Sequence, residues 1–333
     1  MIPLLTADEM RALESRAIER WGIPSLVLQE HAALGALAML PPGGPIHVLA
    51  GPGNNGGDAL ALARLARLRG DRVEVWTPVE DPAWKGDAAL QASLWEGIGG
   101  TCRHSGDPAE AVGRFTGWVV DGLFGLGSRP PLRGPSAAWV QALRDAVYAS
   151  GGPPPFQVLA LDLPSGLDPG SGDVAGPAVQ ATRTACFGFR KVCHGLQPAR
   201  GCCGEVRVVP LPLQLRFGEL PAARLWLADA PARRSGDAWD THKRDFGHVG
   251  IRAGTAGMSG AAVLAALGAL RAGAGLVTVL PDPGVRAEVA AQVPEAMVQA
   301  WQGVVPAGID VLLTGPGGVA EVPEWDGPLV LDA

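Results

Sequence analysis

Three stretches of this chain bring together side chains that could do chemistry. Asn54, Asn55 and Asp58 lie in "GPGNNGGD", Asp121 opens "DGLFGLGSRPPLRGP", and Asp162 and Ser165 lie in "LDLPSGLDPGSGD". Each follows an apolar run of strand character: "IHVLA" (46–50), "WVVD" (118–121) and "FQVLALD" (156–162). Ligands bind at the carboxyl ends of strands in open α/β sheets, so the three loops are expected to converge. Asn55, Asp121 and Ser165 offer an amide, a carboxylate and a hydroxyl. One formal charge among neutral oxygens suits a monovalent cation better than Zn²⁺ or a carboxylate-rich Ca²⁺ cage. Asp162, at the tip of a buried strand, is placed where a carboxylate can be tuned for proton transfer. Singly, each residue has a plainer reading: Asp58 as an N-cap, Asp121 as a turn residue, Ser165 as a turn hydroxyl after Pro164. Their joint position on three strand ends favours a site.

Gly51, Gly53 and Gly56 also spell G-x-G-x-x-G, the turn of dinucleotide-binding oxidoreductases. A pyrophosphate cradle wants bare backbone N–H groups and the positive end of a helix dipole. Asp58 would put a carboxylate near that dipole. The acid expected to hold the ribose is represented only by Glu74, inside "VEVW" and followed by more strand. The glycine pattern by itself therefore does not make this an oxidoreductase.

The elements that must position these loops are legible as a βα rhythm. Thr6 and Glu9 form a capping box before an apolar face of Met10, Leu13, Ala17 and Ile18, with Gly22 as the stop. A second helix follows Pro24. Strands at 46–50, 72–76, 118–121, 156–162 and 205–210 alternate with helices predicted over 58–69, 85–96 and 136–149. This pattern predicts an α/β fold with a Rossmann-like, three-layer, mostly parallel sheet. A proline-rich linker crosses Pro210 to Trp226, and a second alternating unit follows, with a helix over 259–271. The boundaries expected are a first domain over 1–213, a linker over 214–223 and a second domain over 224–333.

Composition narrows the class. Lys and Arg total 27 against 33 acidic residues, a formal charge of −6, which does not favour nucleic acid or an anionic membrane as partner. Five cysteines without a CxxC pair make no disulfide framework and point to a reducing, cytoplasmic setting. Cys202 and Cys203 are read as plain strand-edge residues. No secretory signal opens the chain, and the apolar stretch from Gly260 to Leu280 is broken by Arg271 and four glycines, so a buried helix and strand are expected there.

"GPGNNGGDALALARLAR", "DGLFGLGSRPPLRGP" and "LALDLPSGLDPGSGDV", in this order, resemble the NAD(P)H-hydrate epimerase family, and the opening helix pair is similar too. The resemblance covers about Met1 to Leu213. It implies interconversion of R- and S-NADHX and NADPHX, nicotinamide nucleotides hydrated at ring carbon 6. By motif, it implies that Asn54, Asn55, Gly56, Gly57 and Asp58 contact the hydrated dinucleotide, with Gly125, Leu126, Gly127, Ser128, Arg129, Pro130, Pro131 and Asp162. It implies K⁺ on Asn55, Asp121 and Ser165, Asp162 as the catalytic group, and a homo-oligomer. One departure stands in "LQEHAA": His31 replaces the family's asparagine and Ala33 its glycine.

From about Arg224 the sequence is similar to the start of the ADP- or ATP-dependent NAD(P)H-hydrate dehydratase, a ribokinase-like α/β domain. The resemblance rests on "THKRDFGHVGIRAGTAGMSGAAVLAALGALRAGAGLVTV", "TGPGG" and "VLDA". It puts Ala262 and Gly317 near the hydrated nicotinamide; close backbone packing explains both equally well. The segments that should carry that family's nucleotide site and catalytic aspartate are absent by Ala333. The expectation is an incomplete ribokinase-like domain, inactive as a dehydratase in this chain alone, with apolar surface left uncovered.

Overall fold

The computed structural model describes residues 1–149, 154–213, 223–227 and 241–332. It divides into two compact units, Met1–Pro231 and Ala232–Ala333.

The first unit begins with β1 (Ile2–Leu5), α1 (Ala7–Glu19) and α2 (Ser25–Leu37). The α1 capping box is present: Thr6 Oγ1 accepts from the Glu9 amide and the Glu9 carboxylate accepts from the Thr6 amide. Then follow β2 (Pro45–Ala50), α3 (Asn54–Leu68), β3 (Arg72–Thr77), α4 (Gly86–Gly97) and β4 (Cys102–His104). After α5 (Pro108–Val112) come β5 (Gly117–Gly122), α6 (Pro135–Ala149), β6 (Phe156–Leu161) and β7 (Arg183–Phe187). The unit continues with β8 (Arg190–Lys191), α7 (Ala199–Cys202), β9 (Glu205–Val209) and β10 (Leu225–Leu227).

Seven strands form a parallel sheet in the order β4-β3-β2-β5-β6-β7-β9. Both faces are covered, and the strands show why. Ile46, Val48, Ala50, Val120, Leu159 and Leu161 join one core with α2, α3 and α4, while Leu49, Val119 and Val158 join another with α5 and α6. Alternate residues of a strand face opposite ways, so a doubly covered sheet needs apolar residues at every position. The order reverses between β2 and β5: from β2 the chain builds outward to β4, then returns to β5. Such a switch point opens a crevice at the strand ends.

Several elements depart from the sequence reading. Helix α3 starts at Asn54 with Gly53 as N-cap, not at Asp58, so Asn54 to Gly57 form its first turn. The glycines explain this: a Cβ on Gly56 would lie 1.8 Å from the Gly51 carbonyl oxygen, and one on Gly51 would lie 2.0 Å from that of Leu123. Their role is to let the helix start approach the strand ends. Cys202 ends helix α7 and Cys203 caps it, so neither is a strand-edge residue; all five cysteines are free. Ile18 is an exposed member of the predicted apolar face. Strands β1, β8 and β10, unforeseen, make a small sheet in the order β10-β1-β8. Because β10 pairs with β1, residues 225–227 belong with the first unit, although the expected second domain starts at 224. Most of the predicted linker, 214–222, lies outside the described residues.

The second unit contains β11 (His248–Arg252), α8 (Ser259–Arg271), β12 (Leu276–Val279), α9 (Arg286–Gln292), β13 (Met297–Val298), β14 (Val311–Thr314) and β15 (Leu329–Leu331). Its sheet is parallel, in the order β13-β12-β11-β14-β15. Ile251, Ala262, Ala266, Val277, Val279 and Val289 form its core, and Leu329 to Leu331 are exposed on the edge strand. Helix α8 has the predicted bounds. Among the described residues no helix is long and apolar enough to cross a membrane.

Candidate active site

The loops after β2, β5 and β6 meet, as the strand-end argument requires, around a cavity of about 520 Å³. Pro52 to Asn55 and Asp58 line it from the start of α3, Leu123 to Gly127 from the loop after β5, and Asp162 from the end of β6. Helices α1 and α2 complete it with Arg11, Glu14, Leu28 and Gln29, and α4 adds Asp87. Of the residues singled out in the sequence, Asn54, Asn55, Asp58, Gly125, Leu126, Gly127 and Asp162 face this space. Gly56 and Gly57 are packed into the start of α3, and Ser128, Arg129, Pro130 and Pro131 continue the loop without lining the cavity.

Asp121 and Ser165 sit behind the cavity wall, fully buried. Ser165 Oγ donates to Asp121 Oδ1 at 2.6 Å, and the Ser165 amide donates to Asp121 Oδ2 at 2.8 Å. The Phe124 amide donates to Ser165 Oγ at 2.9 Å. Asn55 Nδ2 donates to the carbonyls of Phe124, at 2.9 Å, and Leu161, at 3.2 Å. Asn55 and Ser165 therefore converge on the main chain at Phe124, with Asp121 behind Ser165 and accepting also from the Leu123 amide, which ties α3 to the ends of β5 and β6. Burial pushes the Asp121 carboxyl up to about 6, against the hydrogen bonds from Ser165 and Leu123.

Asp162 is held differently. It is the one non-glycine with positive φ among the described residues, at 66°. Its amide donates to the Ala185 carbonyl at 2.8 Å, and its Oδ1 accepts from the Phe187 amide at 3.2 Å. Oδ1 also accepts from Nζ of Lys191, whose side chain is completely buried. Lys191 Nζ donates further to the Phe187 carbonyl at 2.7 Å. Burial works against the Lys191 charge, but Asp162, Cys186 and Glu14 outweigh it and hold the ammonium's pKa above its ordinary value. The left-handed backbone turns the carboxylate out of strand alternation, and asparagine and aspartate are the side chains that best tolerate it.

The sequence reading missed Lys191 and Glu14. Lys191 lies 29 residues beyond Asp162, and only the pairing of β6 with β7 and the return through β8 bring them together. Glu14 sits on the inner side of α1, where a charged residue after buried Leu13 is the one available sequence signal. Its carboxyl is raised to about 7 by burial and by the Asp162 charge, with Lys191 and Arg11 opposing. Asp58 is raised as well, by burial first and then by Asp162 and Glu14, with Gln29 and Lys191 opposing.

His31, at the departure in α2, is exposed and outside the cavity lining; Ala33 is buried in the core. Glu74 is engaged with His47, at 3.2 Å, and Arg103, at 3.1 Å, and does not line the cavity. In the second unit, Ala262 and Gly317 both adjoin Gly254. A Cβ on Gly254 would meet Ala262 Cβ at 2.9 Å, and one on Gly317 would lie 3.1 Å from Gly254 Cα. Thr255 Oγ1 donates to the Gly317 carbonyl at 2.7 Å, which ties these loops together.

Known proteins extend this picture. Residues 27–193 match the family model described as YjeF-related protein N-terminus, and residues 249–332 match that of NAD(P)H-hydrate dehydratase. The chain is 36% identical to the bifunctional NAD(P)H-hydrate repair enzyme Nnr of Gloeobacter violaceus, over 99% of this chain and 69% of that protein. It is 30% identical to the Nnr of Moorella thermoacetica and spans 63% of that protein's length. An NAD(P)H-hydrate epimerase of Rhodopirellula baltica is 34% identical over 64% of this chain and 87% of its own. The crystal structure of yeast YNL200c shares the fold, with a TM-score of 0.50 at 21% identity over 58% of this chain and 83% of that one.

Proposed function

Because the chain belongs to the NAD(P)H-hydrate repair family, we propose that its first unit epimerises R- and S-NADHX and NADPHX in the cavity between α1, α3 and the ends of β5 and β6. The observation that carries the reading is the buried Asp162–Lys191 pair opening onto that cavity. Lys191 Nζ holds the carboxylate in place, so that Asp162 accepts or returns a proton at the C6 oxygen of the hydrated ring. The first-turn N–H groups of α3 point their dipole at the same space and suit the substrate's diphosphate. Asn54, Asn55, Asp58 and Gly125 to Gly127 bind and orient it. Gly56 and Gly57 contribute by allowing the helix start to approach; Ser128 to Pro131 shape the loop.

The donor chemistry at Asn55, Asp121 and Ser165 fits K⁺. One carboxylate, a hydroxyl, an amide and the Phe124 carbonyl supply oxygen donors with a single formal charge, and the buried carboxylate lacks a cationic partner among its contacts. The ion, when bound, supplies positive charge that steadies the loops carrying the substrate. The reading places the protein in a reducing cytoplasmic setting, as a homo-oligomer without nucleic acid or membrane partners. For the second unit it is a dehydratase domain whose reaction takes ADP or ATP, with Ala262 and Gly317 beside the hydrated nicotinamide.

The test is incubation of the purified full chain with R-NADHX, followed by chromatographic separation of the epimers. Formation of S-NADHX at a rate set by enzyme concentration supports the reading; a spontaneous rate overturns it. Absorbance at the NADH band with S-NADHX and added ADP or ATP measures the second unit.

A further inference from the structure

We propose that Glu14 is a second catalytic residue of the epimerisation, sharing one proton with Asp162 so that each carboxyl serves one face of the substrate ring; this rests on the epimerase reading above.

Two carboxyls come to one cavity from separate elements, Glu14 from α1 and Asp162 from the end of β6. Their surroundings divide their roles. Asp162 is fixed by Lys191 and the Phe187 amide. Glu14 is half-buried and accepts no hydrogen bond from the described residues. The neighbouring Arg11 is already committed to Asp8 Oδ1 and to the Leu126 carbonyl, each at 2.7 Å. The groups facing Glu14 are Arg11 on its own helix, Asp162, Lys191 on β8 and Asp58 on α3, with Asp87 of α4 in the same lining. Burial first, and then the Asp162 charge, raise Glu14 to about 7 against Lys191 and Arg11, while Asp162 has an ammonium beside it. One carboxyl that keeps its proton and a second held by an ammonium, on one cavity, are suited to act as acid and base.

Inversion at C6 asks for such a pair, because oxygen leaves one face and returns to the other. The Glu14 carboxyl gives its proton to the C6 hydroxyl; the C6–O bond breaks, the N1 lone pair forms an N1=C6 iminium bond, and water departs. A water on the opposite face then bonds to C6, the iminium electrons return to N1, and the Asp162 carboxylate takes the released proton. The pair still holds one proton, now on Asp162. The reverse reaction runs the same steps with the roles exchanged, so both directions need the singly protonated pair.

The experiment is the pH–rate profile of epimerisation from each epimer, by the full-chain wild type, Glu14→Gln and Glu14→Asp. In the wild type, the rate should fall in both directions as pH rises above about 7. Glu14→Gln should slow turnover by ~10²- to 10⁴-fold with KM little changed, and should lose that alkaline limb. Glu14→Asp should regain part of the rate and keep a limb. Near wild-type turnover by Glu14→Gln, or an unmoved alkaline limb, overturns the role of Glu14. Failure of the wild type to epimerise would instead overturn the epimerase reading.

Discussion

The Lys191 ammonium is buried directly against the Asp162 carboxylate, at the point where strand β6 leaves the sheet with a left-handed residue. Neither partner is cheap to strand. Removing one side of a buried ion pair leaves the other charge uncompensated, at a cost of about 3–5 kcal/mol. Lys191→Met should therefore lower stability by about that much in denaturant titration and reduce epimerisation as well. Adding Asp162→Asn to Lys191→Met should recover part of the stability and none of the activity. A double variant that loses the sum of the two single losses would mean that the pair is not coupled.

Asp162→Asn alone tests the chemistry while stranding the Lys191 ammonium, so stability should fall by about 3–5 kcal/mol. Asparagine tolerates positive φ and can still accept from the Phe187 amide, which keeps the turn at the end of β6. Turnover of the folded fraction should drop by ~10²- to 10⁴-fold. Near wild-type turnover would remove Asp162 from the mechanism.

Asp121 tests the ion. Asp121→Ala removes the only carboxylate of the proposed K⁺ set, leaves the Ser165 amide without its acceptor and leaves the Ser165 hydroxyl only the Phe124 carbonyl. Substrate affinity should weaken, and the response of affinity to replacing K⁺ by choline should disappear. Calorimetry with a substrate analogue in both salts reads both effects.

Stability should depend on pH in a direction unusual for carboxylates. Glu14, raised from 4.5 to about 7, and Asp58, raised well above its ordinary value, bind protons more tightly in the folded state than in the unfolded chain. Their contribution is full below the unfolded pKa and is lost as pH rises through the folded one. The first unit should thus melt at a lower temperature at pH 8 than at pH 6, and Glu14→Gln should flatten that difference. Scanning calorimetry of the two proteins at both pH values checks the sign.

Gly56 is a steric requirement. A Cβ there lies 1.8 Å from the Gly51 carbonyl oxygen, whereas one on Gly53 meets nothing within 4 Å. Gly56→Ala should cost upwards of about 1–3 kcal/mol, by displacing the helix start, and should weaken substrate binding. Gly53→Ala serves as the tolerated control in thermal melts.

Local patterns in the sequence were sufficient for the strands carrying the site, for helix α8 to the residue, for the α1 cap and for the three loops that meet at the cavity. The reason is physical: apolar runs long enough for doubly covered strands, and punctuation by Gly, Pro and capping residues, are encoded within a few neighbours. The start of α3, predicted at Asp58, was not legible: G-x-G-x-x-G specifies a close backbone approach, and the packing of Gly56 against Gly51 and of Gly51 against Leu123 lets the helix begin four residues earlier, at Asn54. Strand β10 went unforeseen because its partner, β1, lies at the other end of the first unit. Only the tertiary structure brought Lys191 to Asp162 and turned Glu14 inward to face them. Burial and the field of neighbouring charges decide which carboxyl keeps a proton, and both arise from segments distant in the chain that meet only when the sheet closes over its helices.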